Sequence, residues 1–330
     1  MNQDTLSDLL RSVRLRGALY FHVSGTRDWA AEAPPSRDIA AAVMPGCEHV
    51  MEFHVVLSGA CWAAVVGGDP VHLAVGDLVI FPQGDAHVVS SAPGMRAPPN
   101  AQGYFERRQQ RLPFTLHLDV AEVPAGSAPA GTGDTVLVCG FLGCDLRPFN
   151  PLIASLPRLL HLPSTGDQDW TVQCMRQAAA ESTNRRPGGG AMLERLSEMM
   201  FIDAMGRYLG ALPEGSQGWL AGLRDRFVGR ALTLLHAAPG EPWTVEELSQ
   251  RVGLSRSALH ERFAALIGQA PMQYLANWRM QVGATLLRDT ASNVAAVAQQ
   301  VGYESEAAFA RAFKRQVGQP PAVWRRKAKG

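Results

Sequence analysis

Two stretches near the C-terminal end of the chain repeat one another. "TVEELSQRVGLSRSALHERFAALIGQAP" (residues 244–271) aligns with "NVAAVAQQVGYESEAAFARAFKRQVGQPP" (residues 293–321), with one extra residue in the second turn. Each opens on an N-capping residue, Thr244 or Asn293, and runs for two turns with apolar positions at Val245, Leu248 and Val252, or Val294, Val297 and Val301. Each then meets a glycine, Gly253 or Gly302, where a positive φ lets the chain turn sharply. Ser255 or Ser305 follows as the cap of a second helix, whose inward side carries Leu259 and Phe263, or Phe309 and Phe313. Short helix, glycine turn and second helix make a helix-turn-helix, and here the pattern occurs twice.

Between the repeats, "PMQYLANWRMQVGATLLRDT" reads as one long helix, with Pro271 in its first turn and Tyr274, Leu275, Trp278, Met280, Val282 and Leu286 on a broad apolar side. About 18 helical residues span roughly 27 Å, near the ~34 Å pitch of B-DNA, so two reading helices held by this rod can enter successive major grooves. Charge agrees with that use. From Trp219 onward there are 15 Lys+Arg against 8 Asp+Glu, which leaves 16 against 22 in the rest of a chain whose net charge is +1. A basic third joined to an acidic remainder is the footprint of a nucleic-acid module attached to one that does not bind nucleic acid.

These paired motifs, the connecting "YLANWRMQVGATLL" and the ending "GYESEAAFARAFKRQVGQPPAVWRR" resemble the AraC/XylS family of bacterial transcription regulators, over roughly residues 219–326. The resemblance implies a C-terminal all-α domain with two helix-turn-helix motifs, double-stranded promoter DNA and RNA polymerase as partners, and a homodimer. Within the motifs, Arg256, Ser257, His260 and Glu261 face away from the first apolar side, and Glu306, Ala307, Ala310 and Arg311 face away from the second. Arg311 is the candidate for a guanine contact, because a guanidinium can bond both O6 and N7. His260 suits a base edge or a phosphate. Arg256, Arg262, Lys314, Arg315, Arg325 and Arg326 suit phosphates, which give affinity and salt dependence without reading sequence. Glu261 departs from the family, which often has a basic or amide side chain there.

The first half uses a different alphabet: "ALYFHVSG", "MEFHVVLSGACWAAVVGG", "PVHLAVGDLVIFPQGDAHVVSS", "PFTLHLDV" and "DTVLVCGFLGC" are short apolar runs separated by Gly, Pro and Asp. Such runs predict an antiparallel sandwich or barrel. "VHLAVGDLVIFPQGDAHVV", with its Gly76-Asp77 and Pro82-Gln83-Gly84 turns and His87, resembles the second conserved stretch of the cupin fold, and "EFHVVLSGACWAAV" resembles a degraded first one. The resemblance implies an N-terminal antiparallel β-barrel of cupin type acting as a sensor. Metal-holding cupins converge two His and a Glu from the first stretch with a His from the second, which makes His54 and His87 candidate ligands here. Cys139 and Cys144 are candidates to complete a tetrahedral N/S set for Zn²⁺ or another divalent metal, or to pair as a redox switch across a turn at Gly143. His22 and His49 are spare candidates. A small-molecule pocket without metal is the other expectation, and no cofactor is required.

"QDWTVQCMRQAAAEST" and "AMLERLSEMMFIDAMGRYLGAL" read as helices split by "NRRPGGG", and the second presents Met192, Leu193, Leu196, Met199, Met200, Ile202 and Leu209 over nearly half its circumference. One stripe suits the barrel and the other a second chain. The expected layout is therefore α+β: a cupin-like sensor domain at 1–166, a helical hairpin and linker at 167–218 with "PEGSQG" as hinge, and a DNA-binding domain at 219–330. No apolar run approaches the ~18 residues of a membrane span, and "MNQDTLSDLLRSVRLRG" lacks the plan of a secretory signal, so a cytoplasmic, nucleoid-associated protein is expected. An odd set of five cysteines suits reduced thiols. The function expected is a DNA-binding regulator that responds to a small molecule, metal or oxidant, and not an enzyme. The alternatives are a metal-dependent cupin enzyme fused to a DNA-binding module and an architectural DNA binder with an inert barrel.

Overall fold

The computed structural model describes residues 4–26, 28–107, 114–118, 134–166, 169–184 and 187–329. In chain order the helices are α1 (Thr5–Ser12), α2 (Ser36–Val43), α3 (Ala101–Arg107), α4 (Pro151–Ala154), α5 (Trp170–Asn184), α6 (Gly189–Ala211), α7 (Trp219–Arg224), α8 (Arg226–Ala237), α9 (Val245–Val252), α10 (Arg256–Ile267), α11 (Pro271–Asp289), α12 (Val294–Gln300), α13 (Glu306–Val317) and α14 (Pro321–Lys329). The strands are β1 (Arg16–Gly25), β2 (Ala30–Ala33), β3 (His49–Ser58), β4 (Cys61–Val65), β5 (Val71–Leu73), β6 (Leu78–Phe81), β7 (His87–Ser90), β8 (Phe114–Leu118), β9 (Thr135–Cys144) and β10 (Leu160–Leu162). Pro113, Asp119 and Val120 of the fourth apolar run, Gln168, and Arg185 and Arg186 of the interhelix break lie outside the described residues.

Two compact units divide the chain: Leu15–Cys144 with Leu156–Gly210, and Met1–Arg14 with Asp145–Ser155 and Ala211–Gly330. The division differs from an unbroken 1–166 sensor domain. Its cause is a buried amide. Gln281 of α11 donates from Nε2 to the Ser12 carbonyl (2.9 Å) and accepts at Oε1 from the Phe149 N–H (3.0 Å), while Arg288 meets Asp145 at 3.3 Å. These bonds tie the N-terminal helix and the 145–155 segment to the C-terminal helices.

The first unit is a sandwich of a six-stranded sheet, ordered β10-β6-β3-β9-β1-β8, and a four-stranded sheet, ordered β2-β7-β4-β5. Both contribute to one core, which joins Phe21, Val56, Val79, Phe81, Leu137 and Phe141 to Cys61, Ala63, Val65, Leu73 and Val89. The antiparallel barrel is therefore corrected twice: β1 and β8 pair in parallel, and among the described residues the sheets keep separate edges. Two sheets that each bury one face satisfy the hydrophobic pattern without closing. Both foreseen turns are present, with φ of 89° at Gly76 and 67° at Gly84.

In the hairpin of α5 and α6, Leu193 and Met200 are buried with Phe201, Ala204 and Met205, whereas Met192, Met199 and Ile202 are exposed. No helix among the described residues is long and apolar enough to cross a membrane.

The helical unit repeats its local chemistry as its sequence does. Thr244 caps α9 through the Glu247 N–H, Ser255 caps α10 through that of Ala258, Asn293 caps α12 through that of Ala296, and Ser305 caps α13 through that of Ala308. Gly253 and Gly302 adopt φ of 80° and 79°, which turns α9 into α10 and α12 into α13. The second motif packs Phe309 and Phe313 against Val297, Val301, Met280, Ala284 and Leu287. The first buries Leu248, Val252, Leu259 and Phe263, with Phe263 edge-on to Tyr274. The 19 residues of α11 give a rod of roughly 28 Å.

Behind α11, His236 stacks on Trp278 at 3.8 Å and meets the Tyr274 hydroxyl at 2.8 Å. Burial pushes its imidazole down to about 3. As pH falls below the ordinary value of 6.5, the unfolded chain takes up a proton that the folded one refuses, so stability present above 6.5 is lost progressively toward pH 3. Between pH 6.5 and 5 the expected loss is about 2 kcal/mol. His236→Phe should flatten that limb in thermal unfolding at the two pH values. Equal acid sensitivity of both chains would assign the loss elsewhere.

Candidate functional site

Strand β3 is buried along most of its length, with side chains alternating between the two faces of its sheet. Glu52 and His54, two apart, share one face. Cys139 stands opposite His54 in register on β9, and His87 comes from β7 of the other sheet. Glu52, His54, His87 and Cys139 are each at most 3% exposed. His54 and His87 meet Nε2 to Nε2 at 2.9 Å, and His87 Nε2 is 3.7 Å from Glu52 Oε2. The far nitrogens are also engaged: His54 Nδ1 is 2.8 Å from Cys139 Sγ, and His87 Nδ1 is 3.0 Å from the Asp85 carbonyl.

The hydrogens follow from these partners. The Asp85 carbonyl can only accept, so a neutral His87 carries its proton on Nδ1 and offers a lone pair at Nε2. His54 fills that lone pair with its Nε2–H, and its own Nδ1 accepts the Cys139 S–H. Among the described residues Glu52 Oε2 has no hydrogen-bond partner. Burial pushes the Glu52 carboxyl up to about 8. Burial, and then the neighbouring His87, hold His54 well below the usual imidazole range, and burial brings His87 down to about 4 against the opposing pull of Asp85. Burial first, then Glu52 and Cys61, raises the Cys139 thiol well above its usual value.

One donor atom each from Glu52, His54 and His87 lie within 4.8 Å of one another, a grouping that can hold a metal ion. The cysteine candidates are placed differently from expectation. Cys139 supports His54 from behind and does not converge with the two Nε2 atoms. Cys144 ends the same continuous strand, about 17 Å further along and on the opposite face. Gly143 makes no turn; it pairs with Arg16 and Val50 inside β9. The geometry therefore excludes a Cys139–Cys144 bridge, and among the described residues no disulfide joins the five cysteines. His49 bonds the Pro82 carbonyl and His22 sits half-buried on β1, both outside the cluster. Glu52 was missed because its stretch is a degraded cupin motif. The signal that could have found it is the Glu-x-His spacing, which puts both side chains on one strand face.

On the helical unit, Arg256, Ser257, His260 and Glu261 on α10 are exposed, as are Glu306, Ala307, Arg311, Lys314 and Arg315 on α13. Ala310 is half-buried. Among the described residues Arg311 and Lys314 make no ion pair, and Arg256 lies 3.8 Å from Glu246. Two of the arginines expected at phosphates have partners within the chain. Arg262 is clamped by the Asp225 carboxylate, Nε at 2.9 Å and Nη2 at 2.5 Å from Oδ2, and so fastens α10 to the N-cap of α8. Arg325 donates to the Leu287 carbonyl (3.0 Å) and the Ser292 carbonyl, closing the C-terminal end of α11.

Comparison with known proteins agrees with both halves. The Cupin family matches residues 4–210 and the Helix-turn-helix domain family matches residues 248–327. A putative AraC-like transcription regulator of Streptomyces lividans is 32% identical over 98% of each chain. The transcriptional regulator AlkR of Acinetobacter baylyi is 28% identical over 98% of this chain and 100% of its own. The DNA-binding domain of AdpA, solved in complex with a target DNA, is 31% identical over 31% of this chain and 92% of its own, with a TM-score of 0.30. A helix-turn-helix repeat behind a cupin domain, matched along nearly the whole length of such relatives, places this chain in the AraC family of DNA-binding transcriptional regulators.

Proposed function

We propose that the sandwich unit senses a divalent metal ion, zinc by donor chemistry, held by Glu52, His54 and His87, and that the ion changes how a homodimer of this regulator occupies promoter DNA. The observation that carries the reading is Glu52 Oε2, a buried carboxylate oxygen without a hydrogen-bond partner among the described residues, beside two imidazole nitrogens. Donor atoms around a tetrahedral zinc at ~2.0–2.2 Å lie about 3.3–3.5 Å apart, and the separations of 2.9 and 3.7 Å bracket that value. Moving one proton from Nε2 to Nδ1 of His54 frees both Nε2 lone pairs, with Cys139 Sγ and the Asp85 carbonyl then holding the two rings from behind. When bound, the ion supplies positive charge that pairs the carboxylate and joins β3 to β7. An oxidant-sensing Cys139 has less support, because reactive cysteines are accessible and of low pKa, and this one is 2% exposed with its thiol pushed up.

The test measures metal content of the purified protein, and binding to its promoter fragment with added zinc and after chelation. One zinc per chain and a DNA affinity that moves roughly 5–150-fold are expected. Affinity indifferent to chelation sinks the reading.

For DNA, the reading places α10 and α13 in successive major grooves. Arg311 reads guanine, His260 a base edge or phosphate, and Arg256, Lys314 and Arg315 meet phosphates. Arg311→Ala should cost about 1–3 kcal/mol of binding and relax base preference at one position. Uniform weakening across operator variants would instead assign Arg311 to the backbone. The exposed Met192, Met199 and Ile202 of α6 are the proposed dimer face, and RNA polymerase remains the expected downstream partner.

A further inference from the structure

A cavity of about 260 Å³ lies in the helical unit between α1, α8 and α11, and its lining includes Asp8, His236, Pro239, Trp278, Val282 and Leu286. Three of these residues carry a buried polar atom that has no hydrogen-bond partner among the described residues: Asp8 Oδ2, His236 Nδ1 and Trp278 Nε1. Such an atom destabilises a fold and is uncommon in a native one. Three around one small cavity mark a place shaped for a partner.

The neighbouring network assigns the hydrogens. Trp219 Nε1–H donates to the Tyr274 hydroxyl (2.7 Å), which then gives its one proton to His236 Nε2 (2.8 Å). His236, kept neutral by burial, therefore carries its own proton on Nδ1. Trp278 offers only an N–H. The two rings stack at 3.8 Å and 17°, so two N–H donors belong to adjacent parallel rings. Asp8, on α1, supplies the acceptor, its other oxygen facing Arg11 at 3.3 Å. Pro239, Val282 and Leu286 are apolar.

We propose that this cavity binds a small uncharged molecule carrying a carbonyl oxygen beside an N–H group on a planar apolar body, in class an aromatic carboxamide. The carbonyl takes the ring N–H donors and the ligand N–H serves Asp8 Oδ2. A carboxylate ligand sets like charge against Asp8, and a bare hydrocarbon leaves all three atoms unsatisfied. The volume falls just under the ~300–1,000 Å³ of drug-sized sites, which limits the ligand to a small one. Since α1 ends at Ser12 and β1 begins at Arg16, an occupant fixing α1 to α8 and α11 acts where the chain passes from one unit to the other. The site is independent of the Glu52 cluster.

The test titrates the full chain with benzamide, benzoate and toluene by calorimetry. Saturable benzamide binding in the ~1 mM range is expected for so small a ligand, with benzoate and toluene at least about 10-fold weaker. Asp8→Ala, which removes the acceptor from a partly exposed helix, and Val282→Trp, which fills the cavity, should each weaken benzamide about 10-fold or more. If Val282→Trp does not fold, Asp8→Ala carries the test. No saturable benzamide binding, toluene binding as tightly as benzamide, or undiminished affinity in Asp8→Ala overturns the proposal.

Discussion

Replacing Phe309 by alanine is expected to loosen the second helix-turn-helix and to cost about 3–5 kcal/mol. The ring is fully buried, edge-on to Tyr303 at 5.6 Å and tilted against Phe313 at 5.4 Å. It also rests on the backbone of α11 at Gly283, where an added Cβ would stand 3.0 Å from two ring carbons. A glycine in mid-helix is otherwise unfavourable by about 1 kcal/mol, so its presence follows from this close approach. With the ring gone there is no side chain at Gly283 to fall into the void, which favours the upper part of the range. Because α13 is anchored through Phe309 and Phe313, the protein should fall back toward non-specific DNA binding, which is typically about 10³–10⁷ weaker than specific binding. A double-mutant cycle isolates the contact. Gly283→Ala alone should destabilise by crowding the ring, but in the Phe309→Ala background it should stabilise, since the methyl enters empty space and improves helix propensity. Urea unfolding of the four chains measures it, and the same sign for Gly283→Ala in both backgrounds would show that the two positions do not meet.

The helix-turn-helix pair was legible because its determinants are local. Caps at Thr244, Ser255, Asn293 and Ser305, the turns at Gly253 and Gly302, and the apolar spacing each act over a few residues and agree with one another. The candidate site was only half legible. His54 and His87 stand in stretches that resemble cupin motifs, whereas Glu52 acquires its meaning from a residue on the opposite sheet. Cys139 and Cys144 were misjudged because Gly143 between them suggested a turn. Gly143 is instead small for packing, since a Cβ there would run into the Cys47 side chain, and Gly140 beside it likewise leaves room for the Phe53 ring, 2.6 Å from where a Cβ would stand. A glycine in a central strand marks close approach as readily as a bend. The placement of α1 and residues 145–155 with the C-terminal helices was beyond reach, because it depends on Gln281 bonding partners more than 130 positions away.

Glu52→Gln is expected to move stability in opposite directions with and without metal. In the metal-free chain the substitution removes an acidic group whose Oε2 is buried with no hydrogen-bond partner among the described residues, keeps the side-chain shape, and should stabilise the sandwich by about 1–3 kcal/mol. In the presence of zinc the wild type gains what the variant cannot: a ligand at 1,000 times its Kd adds about 4 kcal/mol to the state that binds it. The two unfolding curves should therefore change order, the variant more stable after chelation and the wild type more stable in zinc. That crossing separates the readings better than loss of binding does. A carboxyl that merely holds the fold would leave the variant weaker in both conditions, and a cluster that never takes an ion would leave zinc without effect on either chain. Only a group retained at a cost to the empty protein, and offset by its ligand, produces both signs at one residue.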